Sequence, residues 1–241
     1  MRVAVVSDIH GNLTAFEAVL ADIRQTSPDL VLHGGDLADS GSSPIDIIDR
    51  IRALGWQGVM GNTDEMLVQP DSLENFAAQS SAPPTLWAAI REIASATRSK
   101  LGDERLTWLR ELPRVQIEET LALVHATPES CWRAPAVEAT DAELEAIYGP
   151  LGPPIVAYGH THRPSIRNIA GHPNLLINTG SVGLPYDGDP RASYLLLEGG
   201  KPSIRRVEYN VEKELKALSS CGLPGAAWTA KILRTSSPQM P

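Results

Sequence analysis

The chain has 241 residues, enough for one sizeable core, and its 42% hydrophobic and 21% charged fractions are those of an ordinary soluble globular protein. A formal net charge of -8 argues against a broad electrostatic grip on nucleic acid, so any phosphate chemistry needs its positive charge supplied locally, for instance by metal ions. Two cysteines, Cys131 and Cys221, are too few for a disulfide framework in so long a chain and are read as free thiols.

The apolar run Val3 to Val6 breaks into Ser7-Asp8-Ile9-His10-Gly11-Asn12, a short buried strand that delivers polar groups to a loop. Leu13, Phe16, Val19, Leu20 and Ile23 then recur at helical spacing to about Gln25. Leu30 to His33 is a second strand, running into Gly34-Gly35-Asp36. Ser43 with Pro44 opens a helix carrying Ile47, Ile48, Ile51 and Leu54, which stops at Gly55. Gly58 to Met60 follows as a strand and runs into Gly61-Asn62-Thr63-Asp64. Strand and helix alternating in this way predict a parallel sheet with right-handed crossovers, whose carboxyl edge gathers Asp8, Asp36 and Asn62.

From about 65 to 112 the pattern is that of a helical insertion, broken at Pro83-Pro84, with a helix start at Asp103-Glu104. Its Trp87 and Trp108 are read as packing residues rather than substrate stackers. Val115 and Ile117, then Leu121 and Leu123, alternate as a hairpin whose second strand delivers His125. Thr140 and Glu143 form a capping box for a helix ending at Gly149-Pro150. Ile155 to Tyr158 runs into Gly159-His160-Thr161-His162. Strands at Ser165 to Ile169, Leu175 to Ile177, Ser193 to Leu197 and Ser203 to Val207 are expected to make a second, largely antiparallel sheet. A helix from Val211 to Leu218 precedes a partly ordered tail beyond about 222. The whole, 1–241, is read as a single domain. Met1 and Arg2 enter the first strand without a basic leader, and no apolar run approaches the ~20 residues of a bilayer span, so a cytoplasmic protein with no membrane partner is expected.

Singly, these polar groups carry little information, because Asp-x-His and Gly-Asp arise often by chance. Jointly they say more. Four of the six histidines, two carboxylates and one amide follow directly after five apolar runs. Seven such ligands exceed one tetrahedral zinc and suit two five- or six-coordinate divalent ions. Imidazole and carboxylate without thiolate point to Mn, Fe or Zn, and a shared carboxylate could bridge two ions about 3.5 to 4 Å apart, the arrangement of two-metal hydrolases.

Asp8-x-His10, Gly35-Asp36, Gly61-Asn62, His125 and Gly159-His160-x-His162, in that order, resemble the five blocks of the calcineurin-like metallophosphoesterases. The resemblance implies an α/β fold, an αββα sandwich of two mixed sheets flanked by helices. It also implies that Asp8, His10, Asp36 and His162 hold one metal, that Asp36, Asn62, His125 and His160 hold the other, and that Asp36 bridges them. Thr63 stands where members of the family often carry a histidine that assists the leaving group, and Ala126 stands where His-Gly is usual. Asp64 is then either a substitute acid or, because nearby cations lower a carboxyl pKa, support for a ligand. The Gly-Asn-x-Asp block and the run Asn178 to Gly183 are similar to the compact bacterial phosphoesterases of that family.

The expected activity is hydrolysis of a small phosphate ester, which a nucleotide would satisfy, by a hydroxide bridging two metals, with Asn12, Asn62 or Arg163 offsetting charge on the phosphoryl oxygens. Without the neighbouring histidine, phosphodiesters with good leaving groups are favoured over alkyl monoesters. The alternatives are a phosphomonoesterase, a dinucleoside-polyphosphate hydrolase, or a metal-binding scaffold without activity.

Overall fold

The computed structural model describes all residues, 1–241. Its elements run β1 (Arg2–Val6), α1 (Leu13–Thr26), β2 (Leu30–His33), α2 (Pro44–Leu54), β3 (Gln57–Gly58), α3 (Asn62–Val68), α4 (Pro70–Ala77) and α5 (Pro84–Arg110). They continue with β4 (Val115–Ile117), β5 (Leu121–Val124), α6 (Asp141–Tyr148), β6 (Ile155–Tyr158), β7 (Ser165–Asn168), β8 (Leu175–Asn178), β9 (Ala192–Glu198), β10 (Lys201–Val207), α7 (Val211–Ser220) and α8 (Ala226–Thr235). The strands form two five-stranded mixed sheets, ordered β10-β9-β1-β2-β3 and β4-β5-β6-β8-β7.

Side chains alternate across a strand, and β1 uses both of its faces. Val3 and Val5 enter the apolar layer between the sheets, with Leu32, Leu123, Ala157 and Ile177, whereas Ala4 and Val6 pack outward against Phe16 and Val19 of α1 and Ile47, Ile48 and Ile51 of α2. Leu144 and Tyr148 of α6 cover the outer face of the second sheet over Ala122, Val124, Val156 and Leu176. Four layers result, helix, sheet, sheet, helix, as the resemblance implies. No helix is long and apolar enough to cross a membrane.

Local signals account for most element ends. The Asn12 side chain accepts from the Ala15 amide at 2.9 Å and caps α1. Thr140 and Glu143 complete their capping box, and α5 breaks at Gly102, whose φ of 73° is left-handed, next to the helix start read at Asp103-Glu104.

Two expectations fail. The strands at 192–198 and 201–207 do not extend the second sheet. β9 pairs antiparallel with the free edge of β1, Val3 opposite Leu197 and Val5 opposite Leu195, and β10 continues beyond it. Which sheet receives a strand depends on which edge lies open after the Asn178 to Gly183 crossover, and no residue pattern within the strand encodes that. The segment beyond 222 is also not a loose tail. Ala230, Ile232 and Leu233 of α8 pack on Leu184, Leu215 and Leu218, and Thr229 Oγ1 donates to the Ser40 carbonyl at 2.8 Å. Its short apolar stripe is masked in sequence by flanking Gly, Pro and Ser.

One buried polar group makes stability depend on pH. His33, at the end of β2, is fully buried beside Trp108, neither ring nitrogen has a hydrogen-bond partner, and burial pushes its pKa down to about 4. The folded pKa lies below the unfolded value, so the unfolded chain takes up the proton first and stability falls as pH drops through 6.5 toward 4. His33 alone should remove about 2 kcal/mol between pH 7.5 and 5. Chemical denaturation of His33→Leu should show a stability difference from the parent that widens in the variant's favour over that range; a pH-independent difference would contradict the assignment.

Candidate metal centre

All seven predicted ligands converge at the carboxyl ends of the parallel strands. Asp8 and His10 follow β1, Asp36 follows β2, Asn62 begins α3 just beyond β3, His125 follows β5, and His160 and His162 follow β6. The two sheets thus contribute to one site from both layers. In the first cluster, ligand atoms of Asp8, His10, Asp36 and His162 all lie within 4.8 Å of one another. His162 Nε2 is 3.2 Å from Asp8 Oδ1 and 3.2 Å from His10 Nε2. In the second cluster, Asn62 Oδ1 sits 3.0 Å from His125 Nε2 and 2.9 Å from His160 Nδ1. Asp36 joins them: Oδ2 is 3.6 Å from His10 Nε2, and Oδ1 is 3.6 Å from His125 Nε2.

The backbone is strained to achieve this. Asp8, His10, Asp36, His160 and His162 have φ of 55°, 48°, 54°, 66° and 56°, the left-handed region that side chains with a Cβ avoid. Such conformations cost of order 1 kcal/mol or more each and persist where the surroundings over-determine them. Here the first two loops are zipped together, Asp8 N to Gly35 O at 3.0 Å, His10 N to Asp36 O at 3.0 Å and Gly11 N to Leu37 O at 2.9 Å. Two glycines of the motifs permit the close approach. A Cβ at Gly61 would stand 2.1 Å from Asp36 Oδ1, and one at Gly159 would stand 2.3 Å from Asp8 Oδ2.

Three imidazoles are aimed by backbone carbonyls. His10 Nδ1 lies 3.1 Å from Asp39 O, His125 Nδ1 2.7 Å from Gly34 O, and His162 Nδ1 2.6 Å from Leu184 O. A carbonyl only accepts, so each Nδ1 carries the proton and each Nε2 turns a lone pair into the site, the usual outer support of a metal-binding histidine. His160 instead turns Nδ1 inward. Burial pushes the pKa of His10 and of His160 down to about 4, so both are neutral near pH 7. Burial opposes ionisation of Asp8, but the imidazoles of His162, His125 and His10 outweigh it and hold the carboxyl below the usual carboxylate range. For His125 burial acts downward, yet Asp36 and Asp8 prevail and raise it. Imidazoles, carboxylates and an amide oxygen, with no thiolate among them, fit two hard or borderline divalent cations.

Not every predicted site residue joins the cluster. Asn12 is 2% exposed and committed to the fold: its amide donates to Gly183 O at 3.1 Å while its oxygen caps α1. Asp64 is fully buried, and its carboxylate accepts from the Asp36, Leu37 and Gly61 amides at 2.7, 3.0 and 3.0 Å. Burial and the Asp36 charge push its pKa up to about 6, but both oxygens are turned to backbone amides, and Asp64 does not line the cavity beside the ligands. Of the two roles read for Asp64, the geometry matches ligand support. Arg163 is exposed, with Nε donating to Tyr186 O at 3.2 Å, at one side of the site.

Sequence reasoning missed several supports. Ser181 Oγ donates to Asp8 O at 2.7 Å, Asn178 Nδ2 donates to Gly159 O at 2.7 Å, and Tyr186 stacks on His162 at 4.3 Å between ring centroids. The run Asn178 to Gly183 therefore braces the ligand loops through side chain and backbone. Its glycines and position after a strand were the available signal. A cavity of about 270 Å³ opens from the ligands and is walled by Met66 of α3, Phe76 of α4, Trp87 and Ile90 of α5, Trp132, and Trp228 of α8. Trp87 packs edge-on against Phe76, as a packing residue should, and also faces this space. A separate open groove, with Arg133 and Arg163 on its walls, meets the cavity at His160.

Residues 1–201 match the family model of the calcineurin-like phosphoesterase superfamily domain. The chain is 31% identical over 244 residues to an uncharacterised protein of Methanocaldococcus jannaschii, covering 92% of this chain and 93% of that one. It is 30% identical over 152 residues to a symmetrical bis(5'-nucleosyl)-tetraphosphatase of Pectobacterium carotovorum, covering 61% of this chain but spanning only half the length of that relative. Among solved structures, a metallophosphoesterase from Sphaerobacter thermophilus superposes with a TM-score of 0.78 at 25% identity, covering 98% of this chain and 99% of its own. With its five ligand-bearing loops gathered at one edge of two mixed sheets, the chain belongs to the calcineurin-like phosphoesterase superfamily and is a phosphoester hydrolase.

Proposed function

We propose that this protein hydrolyses small phosphodiesters with good leaving groups, using two divalent ions of the Mn, Fe or Zn kind. Asp8, His10, Asp36 and His162 would hold one ion, and Asp36, Asn62, His125 and His160 the other. When bound, the ions supply Lewis acidity toward phosphoryl oxygens and make water nucleophilic near neutral pH. The chain's own residues do the rest. Three backbone carbonyls hold the imidazole protons outward, Asn62 Oδ1 is fixed between two rings, and the aromatic wall keeps bulk water from one side.

The observation that carries the diester reading is that two spaces meet at His160, an aromatic-walled cavity and a more open groove bearing Arg133 and Arg163. A phosphoryl group at the ligands with an ester arm in each space is a diester; a monoester would leave one space unused. Arg163 is placed to offset charge in the groove arm. Thr63 lines the cavity at the position next to Asn62, and a hydroxyl cannot protonate an alkoxide leaving group at neutral pH. The likeness to symmetrical bis(5'-nucleosyl)-tetraphosphatases supports a nucleotide ester and favours a second reading, hydrolysis of a dinucleoside polyphosphate.

The test is hydrolysis of bis(p-nitrophenyl) phosphate and p-nitrophenyl phosphate by metal-stripped protein as Mn²⁺ is restored in steps. Metal-dependent cleavage of the diester well above the monoester is expected. Thr63→His should raise turnover of methyl esters with poor leaving groups more than that of aryl esters. Monoester preference, or equal gains on both ester types, would overturn the corresponding part of the proposal.

A further inference from the structure

The cavity beside the ligands is more specific than an apolar hole. Trp87 is 9% exposed, and its Nε1 donor has no hydrogen-bond partner. Asp39, 2% exposed and in the loop between β2 and α2, accepts from Ser40 Oγ at 3.1 Å through Oδ2, while its Oδ1 has no partner. Both residues line the cavity, together with His10, Asp36 and His160 of the ligand set. A dry polar atom without a partner is costly to a fold, and two of them in one ligand-adjacent cavity point to a ligand that satisfies both.

The walls favour a flat group. Trp132 is held in place from two sides: its ring lies 4.9 Å from Phe76 at an interplanar angle of 30°, and its Nε1 donates to Glu65 Oε2 at 2.5 Å. Glu65 is itself 4% exposed and held by the more exposed Arg114, so the indole is anchored on a buried, paired carboxylate rather than left to rotate. Trp87 meets the same Phe76 edge-on at 5.8 Å and 77°. An aromatic corner built of rigid, braced rings binds a planar system by stacking at low entropic cost. A lipid chain or simple alkyl group would fill the space yet leave the Trp87 donor and the Asp39 acceptor unmet, a strong discrimination against it. At about 270 Å³ the space sits at the lower end of small-ligand pockets and admits one ring system with its sugar, not both ends of a dinucleotide.

We propose that this cavity seats one planar heteroaromatic group of nucleobase type from the ester substrate, stacked at Trp132 and hydrogen-bonded by Trp87 Nε1 and Asp39 Oδ1. The assignment of this group to a substrate arm rests on the phosphodiesterase reading above; the cavity's preference for it does not. Glu65 and Phe76 are positioning residues that act through Trp132.

Adenosine, which carries no phosphoester, isolates the cavity from the chemistry. Calorimetric titration of the metal-loaded full chain with adenosine should show saturable binding, weakened about tenfold or more by Trp132→Ala and about three- to tenfold by Trp87→Phe, which keeps an aromatic ring but removes the donor. Cyclohexylmethanol should bind more weakly and be indifferent to Trp87→Phe. No adenosine binding by a preparation that cleaves bis(p-nitrophenyl) phosphate would overturn the inference and leave the phosphodiesterase reading standing. Cyclohexylmethanol binding as tightly as adenosine would overturn the heteroaromatic assignment. Adenosine binding with the stated variant losses, in a two-metal protein that cleaves neither ester, would support the cavity assignment while refuting the phosphodiesterase reading.

Discussion

Asp36→Asn should reduce bound metal from two ions per chain to one or fewer and lower diester turnover by more than about 100-fold, the upper end of what losing a mere supporting residue costs. The side chain is nearly buried, and its two oxygens face different histidines, Oδ2 toward His10 and Oδ1 toward His125, each at 3.6 Å. An amide of the same shape keeps one acceptor and turns the other position into a donor that no cation tolerates. It also preserves the 2.8 Å bond from the Thr63 amide if the remaining oxygen takes the Oδ1 place, so the loop should hold. In metal-free protein the variant should be no less stable than the parent, because a buried negative charge is removed from beside Asp64. Metal content by elemental analysis, turnover and a melting curve together decide the matter. Two ions and unchanged turnover would mean that Asp36 does not bridge.

Asp64→Ala should be almost as damaging for a different reason. Its carboxylate is the acceptor for three buried amides, at Asp36, Leu37 and Gly61, which belong to the two loops carrying the Asp36 and Asn62 side chains. Leaving those donors without a partner should cost about 3 kcal/mol or more in unfolding free energy, since one buried orphan costs roughly 1–3 kcal/mol. The loops should loosen with it, weakening metal binding by about 10- to 100-fold. A general acid would behave otherwise. Its loss would slow turnover of poor leaving groups alone, with metal affinity and stability intact, and that pattern in denaturation and metal-titration data would reinstate the acid role.

The sequence by itself determined the candidate ligand loops and the parallel pairing of the first three strands. Each candidate ligand follows closely on a short apolar run, and the direction of a buried strand dictates which end presents its loop, so the convergence of Asp8, His10, Asp36, Asn62, His125, His160 and His162 was legible without contacts. The capping box at Thr140 and the helix start beside Gly102 were legible for the same reason: they act within a turn or two of chain. The jobs of Asn12 and Asp64 were not. Both residue types bind substrates or transfer protons as readily as they cap backbone, and only the positions of Gly183, Leu37 and Gly61 around them decide the case.

The tertiary structure alone decided that β9 and β10 border β1, that α8 closes the site, and that Phe76, Trp87, Trp132 and Trp228 share one cavity. These depend on which sheet edge is left open and on contacts such as Trp132 to Glu65 and Thr229 to Ser40, which join residues far apart in the chain. Periodicity records how a segment buries its own face. It does not record what that face is buried against, and the cavity beside the candidate ligands is built from that second fact.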